Sequence, residues 1–140
     1  MINVLIVEDD PMVAELNKMY VETVAGFKVK GVASTGEKAL EYLYNKNIDL
    51  VILDIYMPKM DGLSLFKKMR ADGILTDVIL VTAAHEVEHI DSALKLGAID
   101  YLIKPFQYER LKASLENYLN RRLILQQKDD FQQKDIDKIT

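Results

Sequence analysis

The residues of this chain that could do chemistry stand where apolar runs stop. Val4-Leu5-Ile6-Val7 gives way to Glu8-Asp9-Asp10, and Leu50-Val51-Ile52-Leu53 stops on Asp54. The run that ends in Val81 is followed by Thr82, and the one that ends in Ile103 by Lys104-Pro105. Three or more carboxylates brought close together repel, so at least one pKa rises unless a cation is present. A hard divalent cation with oxygen ligands is the natural partner. Mg²⁺ fits best, because it keeps several waters and uses only one or two protein carboxylates beside phosphate oxygens. Lys104 adds a fixed positive charge and Thr82 a hydroxyl donor. Metal, ammonium and hydroxyl together suit a transferring phosphoryl group, whose charge is spread over its oxygens. A carboxylate can itself be the nucleophile and become an aspartyl phosphate. Asp54 is the best candidate: it ends an apolar strand, and a tight turn through Met57-Pro58 and Asp61-Gly62 exposes it.

These groups meet only if the elements that carry them are neighbours. Val4–Val7 is β-branched and lacks polar alternation, which predicts a strand buried on both faces. After Pro11 the apolar residues Met12, Val13, Leu16, Met19, Tyr20 and Val24 recur at helical spacing, up to Gly26. Phe27–Ala33 reads as a more polar strand nearer an edge. Ser34 or Thr35 can cap a helix that turns Leu40 and Leu43 inward. Leu50–Leu53 is a third strand, and Gly62 opens a helix carrying Leu63, Leu65, Phe66 and Met69. Asp77–Val81 is a fourth strand, Glu86–Leu96 a helix ended by Gly97, and Ile99–Ile103 a fifth strand. A last helix runs from Tyr108 to about Arg122, with Leu111, Leu115, Tyr118 and Leu119 as its inner stripe. Five strand-then-helix units imply an α/β fold: a parallel sheet with right-handed crossovers and helices on both faces. In such sheets the functional crevice lies beyond the C-terminal strand ends, which is where the acids, the threonine and the lysine stand.

Composition narrows the function classes. The 140 residues suffice for one domain, and 49% hydrophobic content supports a packed core. A net charge of −4 argues against a nucleic-acid surface on this piece. There is no cysteine, so disulfides and thiolate metal sites are excluded. No apolar run approaches the roughly 20 residues that cross a bilayer, so no membrane partner is expected. The opening "MINVLIVEDD" lacks the basic start of a signal peptide. Residues 123–140, "LILQQKDDFQQKDIDKIT", can extend the last helix or form a polar linker, but cannot form a core.

Taken together, Glu8-Asp9-Asp10, "LDIYMPKMDG", "VTAA" and "GAIDYLIKPF" resemble the receiver domain of bacterial two-component response regulators, over residues 2 to about 121. The resemblance implies a flavodoxin-like, doubly wound five-stranded sheet of order 2-1-3-4-5 with five helices. It makes residues 1–122 the receiver and 123–140 an extension toward an output domain that lies outside this sequence and binds DNA. It implies phosphoryl transfer from a sensor histidine kinase to Asp54. Mg²⁺ would be held by Asp9, Asp54 and the backbone carbonyl of Tyr56, with Glu8 acting through water. Thr82 and Lys104 would contact the phosphoryl group, and Tyr101 would swing inward as Thr82 moves. Met57 and Pro58 would frame the loop, and the Lys104–Pro105 bond would be cis. The face made by the fourth helix, fifth strand and fifth helix would serve homodimerisation or partner docking. A cytoplasmic signalling switch is the expected whole, with self-phosphorylation and slow autodephosphorylation rather than enzymatic turnover. The "EDDPMVAELN" start, the long first helix and the Gln-rich tail further resemble regulators of citrate and C4-dicarboxylate metabolism, which act on transcription. Tyr56 is large for a position beside the phosphate, and its bulk is expected to hinder water and lengthen the phosphorylated lifetime.

Each signal has a blander reading. Glu8-Asp9-Asp10 alone is a solvated helix start. Asp54 alone is a turn residue, Thr82 alone a helix cap, Lys104 alone a surface lysine, and Tyr101 alone half-buried packing. Their joint occurrence favours the site. His85 and His89 lie four apart but lack a third ligand, so a solvated pair is expected. A haloacid-dehalogenase-type phosphohydrolase would want an acid two residues after Asp54, where Tyr56 stands. A flavodoxin-type cofactor binder would want a Ser/Thr/Gly loop where this chain has acids. A stand-alone module that works by docking is the third alternative.

Overall fold

A computed structural model of the 140-residue chain describes residues 1–57, 61–83, 88 and 90–126. The elements are β1 (Ile2–Val7), α1 (Pro11–Glu22), β2 (Phe27–Ala33), α2 (Gly36–Asn45), β3 (Leu50–Asp54), α3 (Gly62–Ala71), β4 (Asp77–Ala83), α4 (Ile90–Lys95), β5 (Asp100–Lys104) and α5 (Tyr108–Gln126). The strands form one parallel sheet in the order β2-β1-β3-β4-β5, the doubly wound order expected.

Alternate residues of the central strands feed two cores. Leu5, Val7, Val51, Leu53, Val78 and Leu80 meet Phe66, Met69, Ala39 and Ala93, which come from α2, α3 and α4. Val4, Ile6, Leu50, Ile52, Ile79 and Val81 meet Ala14, Val21, Leu111, Leu115 and Tyr118, which come from α1 and α5. Every residue of β3 is buried, so its lack of polar alternation has a simple cause: both faces are covered. β2 forms an edge and exposes Lys28 and Lys30, as its polar sequence predicted. Thr35, not Ser34, caps α2 by accepting from the Lys38 amide.

Two expectations need correction. The first helix ends at Glu22, capped by Thr23, and not at Gly26, whose φ of 97° serves the following turn. Its buried residues are Ala14, Asn17 and Val21, whereas Met12, Leu16 and Met19 of the apolar pattern are exposed. Residues 14, 17 and 21 also share a helical face, and Ala14 and Val21 join the core with Val4, Ile6 and Ile52. Periodicity alone cannot choose between two faces that are both spaced like a helix. The last helix runs on to Gln126, which takes the first four residues of the expected extension into α5. The fourth helix is described from Ile90; Glu86, His85 and His89 lie outside the described residues, as do Pro58, Ala84 and residues 127–140. Among the described residues no helix is long and apolar enough to cross a membrane.

Candidate functional site

Strand register brings the polar ends together. Val7 pairs with Leu53, so Glu8 and Asp54 are the next residues on adjacent strands. Asp54 pairs with Val81, the residue before Thr82, and Ala83 pairs with Lys104. Backbone bonds hold the exits in place: the Glu8 amide donates to the Ala33 carbonyl at 3.0 Å, and the Ile55 amide to the Val81 carbonyl at 2.9 Å. Asp9, Asp54, Thr82 and Lys104 are thus the expected cluster at one edge of the sheet, beyond β1, β3, β4 and β5.

The geometry is that of two buried carboxylates sharing one ammonium. Lys104 Nζ lies 3.1 Å from Glu8 Oε1 and 3.1 Å from Asp54 Oδ2. Glu8 is 3% exposed and Asp54 5%, whereas the Lys104 side chain keeps about a third of its surface in water. The other oxygen of Asp54, Oδ1, accepts from the Tyr56 amide at 3.1 Å. Carboxylate oxygens of Glu8, Asp9 and Asp54 all lie within 4.8 Å of one another. Burial, then the nearby Asp54, push the Glu8 carboxyl above its ordinary value against the opposing pull of Lys104. Burial and then Glu8 raise Asp9 in the same way. For Lys104 burial works against the charge, but Asp54 and Glu8 outweigh it and hold the ammonium above the usual lysine value. This is what like charges confined without a sufficient counter-charge do. Hard oxygen donors in such a cluster fit Mg²⁺ better than a softer metal.

The remaining expected residues fall into place unequally. Asp10 is not part of the cluster: its carboxylate accepts from the Met12 and Val13 amides and caps α1, the bland reading for an acid at a helix start. Thr82 is buried at 1% exposure, and its hydroxyl donates to the Ala83 carbonyl at 3.2 Å. Tyr101 is 37% exposed on β5, with its carbonyl held by Arg110. Tyr56 is 66% exposed at the mouth of the site, whereas Met57 beside it is buried. The Lys104–Pro105 bond is cis, as expected. Sequence reasoning assigned a part to the Tyr56 carbonyl and overlooked its amide, which steadies Asp54. The signal was available, because an aspartate at a turn commonly accepts from the amide two residues on.

Comparison with known proteins gives this arrangement its family. Residues 4–116 match the family model described as the response regulator receiver domain. The chain is 47% identical over 137 residues to the transcriptional regulatory protein MalR of Bacillus subtilis (strain 168), covering 98% of this chain and 58% of that protein. It is 43% identical over 136 residues to a probable C4-dicarboxylate response regulator DctR of Priestia megaterium, covering 97% and 60%. The chain thus spans 58–60% of the length of these two curated relatives. Among solved structures, the Francisella response regulator 1452 receiver domain superposes with a TM-score of 0.74 at 34% identity, covering 83% of this chain and 94% of that one. A receiver domain protein from Clostridium thermocellum gives a TM-score of 0.78 at 28% identity, covering 89% and 99%. The chain belongs to the response regulator receiver domain family, the phosphorylation-activated switches of two-component signalling.

Proposed function

We propose that Asp54 accepts a phosphoryl group from a sensor histidine kinase and that the modified domain controls transcription through an output domain beyond this sequence. The observation that carries the reading is the setting of the Asp54 carboxylate: one oxygen is fixed by the Tyr56 amide, and the other is held by a lysine that also bonds Glu8. An Asp54 oxygen forms the new bond to phosphorus. The bond from phosphorus to the kinase histidine nitrogen breaks, and that nitrogen keeps the electron pair. Asp9 and Asp54 would hold Mg²⁺ directly, with the Tyr56 carbonyl, and Glu8 would act through water. When bound, the metal supplies positive charge for the phosphoryl oxygens. The protein's own part is orientation and charge. Lys104 stands within reach of the incoming oxygens, and the apolar β3 holds Asp54 rigidly.

Signalling then follows from Thr82 and Tyr101. The added group brings charge and strong acceptor oxygens. The Thr82 hydroxyl exchanges its Ala83 acceptor for a phosphoryl oxygen, and Tyr101 turns inward from its half-exposed position. Moving the balance from 1:99 to 99:1 needs a differential interaction of roughly 5.5 kcal/mol, part of which dimerisation or partner docking on the α4–β5–α5 face can supply. The similarity to the DctR relatives supports a place in C4-dicarboxylate regulation, in the cytoplasm, with DNA contacted only by the output domain. Residues 1–122 form the receiver, and 123–140 lead onward. The domain is a phosphoacceptor that loses its phosphate slowly, not a turnover enzyme.

The test is incubation with acetyl phosphate and Mg²⁺ followed by mass spectrometry. The expected result is one base-labile HPO₃ adduct that Asp54→Asn abolishes. An adduct that persists in Asp54→Asn would place the acceptor elsewhere and refute the assignment.

A further inference from the structure

Gly62 is packed against the peptide that carries the Asp54 carboxylate. A Cβ built on Gly62 would lie 2.1 Å from the Asp54 carbonyl oxygen, 2.8 Å from its carbonyl carbon and 2.7 Å from Ile55 Cα. All three are backbone atoms, so no side-chain rotation can relieve the overlap. The Gly62 amide also donates to the Ile55 carbonyl at 2.5 Å, which ties the first turn of α3 to the strand exit. Gly62 does not have a left-handed φ, so close approach and not backbone conformation demands glycine here.

From these contacts we infer that Gly62 is a positioning residue for phosphoryl transfer: its missing side chain lets α3 seat against the Asp54–Ile55 peptide and fixes where the carboxylate points. The inference rests on the reading of Asp54 as phosphoacceptor. Both bodies that meet at this contact are firmly held. β3 is buried along its whole length, and α3 buries Leu63, Leu65, Phe66 and Met69. A methyl group needs about 1 Å more room to reach an ordinary contact, since real Cβ atoms essentially never come under 3.0 Å of another heavy atom. The yielding point is the Asp54–Ile55 peptide, where the strand ends. Glu8, just past the end of β1, and Lys104, at the end of β5, belong to other strands and do not move with it. The carboxylate therefore shifts relative to the ammonium that must share its charge, and a misplacement of about 1 Å costs on the order of 10²-fold in rate.

The experiment compares Gly62→Ala with Asp61→Ala. Asp61 caps the same helix by accepting from the Ser64 amide at 2.8 Å, so its loss loosens α3 without adding an atom near Asp54. The rate of adduct formation is measured at saturating acetyl phosphate and Mg²⁺, together with the amide NMR signal of Tyr56, which reports its bond to Asp54 Oδ1. The expected result for Gly62→Ala is a rate lowered about 10²-fold with a displaced Tyr56 signal, while Asp61→Ala slows less than about 3-fold with that signal in place. Equal slowing in the two variants, an unchanged rate in Gly62→Ala, or its failure to fold would overturn the positioning role; in the last case the glycine serves the fold as a whole. Failure of the parent chain to form any adduct would overturn the phosphoacceptor reading instead, which keeps the two apart.

Discussion

Replacing Lys104 by methionine tests the electrostatic account of the site most directly. The ammonium sits 3.1 Å from both Glu8 and Asp54. At an effective dielectric of about 20, each contact is worth about 5 kcal/mol before desolvation is counted. The lysine keeps roughly a third of its surface in water, so solvent screening and its own burial cost reduce the sum severely. A net loss of about 3 kcal/mol at neutral pH is expected, at the lower end for removing one partner of a buried pair. The pH dependence is the more telling signature. The Glu8 carboxyl is already raised by burial and by Asp54, and Lys104 is what restrains it. Without the lysine its folded-state value rises further. A carboxyl whose folded value is raised contributes stability below its unfolded value, and that contribution is lost as pH climbs through the folded value. The deficit of Lys104→Met should therefore be smaller at pH 4.5, which lies below the raised Glu8 value, than above neutrality; only the lost contact with Asp54 is common to both conditions. Urea unfolding of parent and variant, followed by circular dichroism at pH 4.5, 7 and 8.5 with chelator present, measures it. Added Mg²⁺ should restore more stability to the variant than to the parent, because it replaces the missing charge. A deficit that is the same at all three pH values would refute the reasoning, and so would a variant as stable as the parent at pH 8.5.

Three further outcomes are expected. Arg70 donates to the carbonyls of Leu96, Ile74 and Thr76 at 2.7–3.0 Å and stacks over Phe66, so Arg70→Met should cost about 3 kcal/mol and speed amide exchange at the end of α4. Met19→Lys should change stability by less than about 0.5 kcal/mol, whereas Val21→Ala should cost about 2 kcal/mol; thermal melts that reverse this order would restore the inner face first read from the periodicity. Tyr56→Asn should shorten the half-life of the phosphorylated form, measured as loss of the mass adduct over time, because it trims the bulky ring at the mouth of the site.

Much of the fold and site was legible because buried parallel strands advertise themselves. Val4–Val7, Leu50–Leu53 and Asp77–Val81 lack alternation because helices cover both faces of the sheet, and their boundaries fall within two residues of the observed strands. Once the strands are placed, polar residues at their C-terminal ends are the natural site candidates. The face of α1 was not legible in this way. Met12, Leu16 and Met19 are more hydrophobic than Ala14 and Asn17, yet the smaller set is buried, because close packing against the sheet rewards fit as well as hydrophobicity. The choice between helical extension and linker after Arg122 stayed open in the sequence for another reason: the final turn of α5 carries Leu123 and Leu125 about half exposed, and no inner stripe marks it.

The sequence by itself determined which groups are present and that each stands where an apolar run stops: Glu8, Asp9, Asp54, Thr82 and Lys104. Tertiary structure decided how they divide the work. Only strand register sets Glu8 beside Asp54, and only the reach of Lys104 from β5 across the sheet lets one ammonium serve both. It also decided that Asp10 turns away to cap α1 and that Gly62 lies against the Asp54 peptide. The reason is physical: burial, charge sharing and steric contact depend on distances between residues about 50 and 96 positions apart in the chain, and the local pattern of a sequence encodes distance only along itself.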